Sequence, residues 1–99
     1  MPIEDDIRQL QRDVANLEYE IDRQEDLQDQ LLREQENLEQ ELADDADDMS
    51  SELVEKKRAR ITELERERAQ AAKIISAKTN VLNGTRTAIR TYSRRSRGQ

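Results

Sequence analysis

Along the first half of this chain the residues at alternating spacings of four and three are Ile3, Ile7, Leu10, Val14, Leu17, Ile21, Gln24, Gln28, Leu31, Gln35, Leu38 and Leu42, with no insertion. That spacing sets them on one face of an α-helix, as the a and d positions of a heptad in which Ile7 is an a and Leu10 a d. Nine of the twelve are apolar and the other three are Gln. A polar residue in such a seam lowers stability while restricting register and partner number, so Gln24, Gln28 and Gln35 read either as specificity devices or as a loosely packed, hydrated stretch. Leu27 and Leu32 flank the same region and offer it further apolar contact. At the start of the helix, Pro2 suits a position whose N–H has no partner. Glu4, Asp5 and Asp6 set negative charge against the positive end of the helix dipole.

The repeat stops at Asp44-Asp45-Ala46-Asp47-Asp48-Met49-Ser50-Ser51. Asp is poor inside a helix and good at an N-cap, and a negative run suits the start of an outgoing helix better than the end of an incoming one. A second seam then runs Val54, Lys57, Ile61, Leu64, Arg68, Ala71, Ile75, Lys78, Leu82, Thr85, Ile89 and Tyr92. Its phase is shifted: twelve residues separate Leu42 from Val54, a heptad plus five, whereas a continuous supercoil tolerates skips of three or four. The pattern predicts helix 1 over residues 1–43, a turn over 44–51, helix 2 over 52–92 and an Arg-rich tail over 93–99. Neither Gly nor Pro punctuates the corner, so a continuous or kinked helix stands as the alternative. Asn83-Gly84 is a turn pair within helix 2, read either as a break or as a tolerated glycine.

Charge favours folding at the corner. Residues 1–48 carry Arg8, Arg12, Arg23 and Arg33 against eighteen Asp and Glu, a balance of −14, and residues 49–99 carry thirteen Lys and Arg against five Glu, a balance of +8. A parallel, in-register pair of chains lays acid along acid, which like charges beside the seam oppose. Turning at residues 44–51 lays acid against base and sets Leu42 opposite Leu53 or Val54, Leu31 opposite Leu64, and Ile7 opposite Ile89. An antiparallel dimer of straight helices makes the same matches between chains. The expected fold class is therefore all-α: two long helices forming an antiparallel coiled-coil hairpin within a larger helical assembly. A lone hairpin whose narrow seam contains three Gln, two Lys and an Arg should be marginal.

Composition agrees with this class and excludes others. Of 99 residues 40% are charged, the only aromatics are two Tyr, and there is no Phe, Trp, His or Cys. Such a chain is too poor in large apolar groups for a compact interior of its own. Without Cys or His it lacks disulfides, thiol chemistry, the commonest general base and the usual zinc ligands. No apolar run nears the ~20 residues of a membrane span, and the acidic N-terminal residues are unlike a signal peptide, so a soluble, cytoplasmic protein is expected, signal-less export being the alternative. The Asn83-Gly84-Thr85 sequon carries no weight without such a signal. An EF-hand count from Asp44 reaches Glu55 at the twelfth position but meets Ala46 at the third and Met49 at the sixth, so the calcium pattern fails. No metal, cofactor or catalytic residue is expected.

The segment after Glu67 has no acidic side chain. There the apolar stripe broadens as Ile74, Val81 and Ala88 join Ile75, Leu82 and Ile89, more than a two-stranded seam needs. The expected partner-binding residues are Ile74, Ile75, Val81, Leu82, Ile89 and Tyr92, and the expected partner is a second copy or another helical protein. The bland reading is that the stripe only fills the hairpin's own interface. Arg86, Arg90, Arg94, Arg95 and Arg97 are candidate phosphate contacts, which makes a nucleic-acid-binding accessory protein the alternative function. Contact with a membrane surface is not expected, because the stripe lacks Trp and Phe. A small helical-hairpin secretion partner is a further alternative on size, though the chain has no Trp for the Trp-x-Gly turn of such hairpins. The leading expectation is a non-enzymatic structural or adaptor protein.

Overall fold

The computed structural model describes residues 2–98. Helix α1 runs Pro2–Asp45 and helix α2 runs Ser51–Arg97, joined by a single 3-10 turn at Ala46–Asp48. The two helices pack on each other as an α-helical hairpin, and no strand occurs among the described residues. The periodicity carries directly into burial. Every seam residue from Ile3 to Leu42 and from Val54 to Tyr92 is buried or half-buried, while the positions between them are mostly exposed. The buried apolar residues among those described are Ile21, Leu31, Leu64, Ala71 and Leu82.

The turn is built without glycine or proline because its backbone never needs a left-handed conformation: no residue among those described has positive φ. Asp45 ends α1, the 3-10 turn follows, and Met49 is extended at φ −98°, ψ 149°. Ser50 then caps α2. Its Oγ accepts from the Leu53 N–H at 3.2 Å, and its carbonyl accepts from the Val54 N–H at 3.1 Å. The cap is thus a serine, and Asp45 makes no side-chain capping bond to the 3-10 turn. Met49 and Val54 occupy the two positions of a hydrophobic staple, and both are half-buried.

α2 passes through Asn83-Gly84 without a break and continues to Arg97, so residues 93–97, read from the sequence as a tail, are helical. Three i−4 bonds surround Gly84, from the hydroxyls of Thr85, Thr87 and Thr91 to the carbonyls of Val81, Asn83 and Thr87. These threonines spend their polar atoms on the helix's own backbone rather than on a new cap.

The chain divides into two compact units, each containing a segment of both helices. One, Gln24–Lys73, holds the turn and the segments of α1 and α2 next to it. The Gln28 side chain donates to the Arg68 carbonyl at 3.4 Å, Arg60 pairs with Glu34 at 2.8 Å, and Lys57 pairs with Glu41. Partners descend α2 as they ascend α1, so the pairing is antiparallel. Leu31 lies midway between Gln28 and Glu34, and Leu64 midway between Arg60 and Arg68, so these two leucines oppose each other. Leu64 has no exposed surface at all. The other unit comprises residues 1–23 with 74–99, where Lys78 pairs with Glu20 at 2.5 Å and Arg86 with Glu18 at 2.8 Å.

Candidate interaction surface

The basic seam residues show how a seam can contain charge. Lys57 and Lys78 bury their stems along the helix pair and extend the ammonium to Glu41 and Glu20 on α1. Arg68 does the same with an amide: its Nη1 donates to Gln35 Oε1 at 2.9 Å, and Gln35 Nε2 donates onward to Glu39 at 2.9 Å. Gln24 contrasts with them, since its Oε1 is buried and accepts no hydrogen bond among the described residues. Sequence inspection missed Arg60, which bridges Glu34, Glu63 and Glu67. The hydrogen bond to Glu34, then the one to Glu63, raises its pKa above the usual arginine value. Its position one residue before the seam residue Ile61 was the available signal.

The six expected partner contacts separate in the structure. Leu82 is buried, and Ile75, Ile89 and Tyr92 are half-buried positions of the seam itself. Ile74 is half-buried beside the seam, whereas Val81 is 57% exposed. Of the six, only Val81 is exposed. The other large apolar side chains in the open are Tyr19, Leu27 and Leu53, so Leu27 lies outside the seam that half-buried Leu32 helps to cover. Tyr19 is occupied by Arg23, which donates to its hydroxyl at 3.1 Å and stands 5.7 Å from its ring centre.

The five arginines of the candidate phosphate cluster separate as well. Arg86 is committed to Glu18, and the Arg95 guanidinium stands 6.0 Å from the Tyr92 ring centre. Arg90, Arg94 and Arg97 line one shallow cleft with Ile89 and Ser93, and none of the three forms an ion pair among the described residues.

No cluster of three or more acidic residues suited to holding a metal occurs among the described residues, and neither helix is long and apolar enough to cross a membrane. No family model, no curated protein and no solved structure matches the chain.

Proposed function

We propose that this chain is a non-enzymatic structural or adaptor protein whose coiled-coil hairpin bundles with further helices, those of its own copies or of a helical partner, in a soluble and by default cytoplasmic setting. The observation that carries the reading is the shortage of interior: of two helices with 44 and 47 residues, five apolar side chains among the described residues are buried, and of these Leu64 alone has no exposed surface. Apart from buried Gln35, the rest of the seam stays partly open, and Val81 on α2 is exposed. Further helices laid along that side complete the burial that two helices leave unfinished.

The test is sedimentation equilibrium of the full chain across concentration, alone and as the Ile74→Asp, Val81→Asp double variant. A mass above that of one chain is expected for the native sequence, falling to one chain in the variant with helicity kept. A chain that stays monomeric and yet unfolds with a stability above about 5 kcal/mol would overturn the reading, because such a hairpin needs no additional helices.

A further inference from the structure

Beyond bundling, we propose that Arg90, Arg94 and Arg97, together with Ser93, bind the phosphodiester backbone of a single nucleic-acid strand. α2 remains helical through Arg97, so spacings of four and three hold the three guanidinium groups on one face. Seven residues at ~1.5 Å each carry that array over about 10 Å, long enough to reach more than one phosphate of a strand. The cleft has Ile89 as its apolar member and the Ser93 hydroxyl as an added donor. Guanidinium forks suit phosphate because each presents paired donors to two oxygens.

Among the described residues no ion pair uses these three charges. No Asp or Glu follows Glu67 in the sequence, and the two arginines beside the cleft are used elsewhere, Arg86 on Glu18 and Arg95 against Tyr92. On α1, Asp5 faces Arg8 of its own helix at 3.7 Å. The chain's net charge of −6 is unevenly divided: residues 24–73 carry eight Lys and Arg against sixteen acids, whereas the unit containing the cleft carries nine against seven. A polyanion approaching the cleft therefore meets a locally positive field.

Two other accounts explain less. Cations in the last turn stabilise a helix through its dipole, which accounts for Arg94, Arg95 and Arg97 but not for Arg90 or for the alignment of three arginines along one cleft. A lipid surface calls for apolar side chains that insert beside the charges. The exposed large apolar residues are Tyr19, Leu27, Leu53 and Val81, none of them within residues 86–97.

The test uses the full chain and a fluorescent 15-nucleotide oligothymidylate, with anisotropy read at rising NaCl. Binding is expected at low salt, and the R90Q/R94Q/R97Q variant should weaken it by about tenfold or more and reduce the logarithmic salt slope by about 2, or ~0.7 per lost contact. The K56Q/R58Q/R66Q variant removes equal charge from exposed positions of the other unit and should leave affinity within about threefold, as charges beyond a Debye length are screened. Helicity is checked for each variant by circular dichroism, and R90K/R94K/R97K, which keeps the charge on the same face, should still bind. Absence of binding at the lowest salt, equal loss in the two glutamine variants, or a lysine variant as weak as R90Q/R94Q/R97Q overturns the proposal. Tighter arginine-dependent binding to phosphatidylserine vesicles than to the oligonucleotide overturns it in favour of a lipid ligand.

Discussion

Arg68 of α2 donates from Nη1 to Oε1 of Gln35 on α1 at 2.9 Å, joining a cationic seam position to a polar one across the helix pair. Gln35 is buried and donates from its own amide to Glu39, so the contact is a specific partnership in a low-dielectric seam. Gln35→Ala leaves the guanidinium short of an acceptor and should cost about 1–3 kcal/mol in urea unfolding. A double-mutant cycle of Gln35→Leu, Arg68→Leu and the two together should give a coupling energy of about 0.5–3 kcal/mol, the double variant losing less than the two single losses added. Purely additive single losses would mean the two side chains act independently.

Gln24 is the converse case, with a buried Oε1 and no donor for it among the described residues. Gln24→Leu should stabilise the chain by about 1 kcal/mol or more, since it removes an unpaired polar atom and adds apolar surface to the seam. Thermal melts of the variant and native chain at matched concentration read the difference, and a lowered midpoint would assign Gln24 a partner in solution.

Leu64 has no exposed surface and Leu53 is 41% exposed, although both are α2 leucines in the same unit. Leu64→Ala should cost about 2–5 kcal/mol and Leu53→Ala about 0.5 kcal/mol or less. Chemical unfolding of the pair separates a seam residue from a flanking one, and equal costs would contradict the observed face.

Ser50 accepts from the Leu53 N–H, and its replacement should expose the start of α2. Ser50→Ala is expected to lose about 0.5–2 kcal/mol, while Ser50→Asp should hold most of the native stability because a carboxylate caps equally well. Amide hydrogen exchange over residues 51–54 checks whether the loss is local to the cap.

Gly84 is helical, lacks positive φ, and an added Cβ would meet nothing within 4 Å. Gly84→Ala should therefore stabilise by about 0.4–1 kcal/mol and raise the melting midpoint by a few degrees. A destabilised variant would show that the glycine serves a close approach by another chain.

Much of the pairing was legible beforehand. The seam residues Ile21, Leu31, Leu64, Ala71 and Leu82 all lie on the repeat read from spacing alone, and Leu31 does oppose Leu64. Asn83-Gly84 reads from the sequence equally as a break or as a tolerated glycine, and the helix continues through it because a turn pair has only a local preference. Here the flanking helix costs that preference little, with its threonines bonded to their own i−4 carbonyls. The capping serine was hidden among stronger-looking aspartates, since a cap is chosen by the φ and ψ of the turn rather than by composition.

By itself the sequence determined helical segments, the face each one buries and the place where the repeat is interrupted, because helical periodicity is a property of neighbouring residues. Only the tertiary structure decided which charges meet. Whether Arg68 finds Gln35 and Arg86 finds Glu18, while Arg90, Arg94 and Arg97 form no ion pair among the described residues, depends on the register between α1 and α2. That register comes from packing across the helix pair and from the geometry of the turn, where residues far apart in the chain become neighbours.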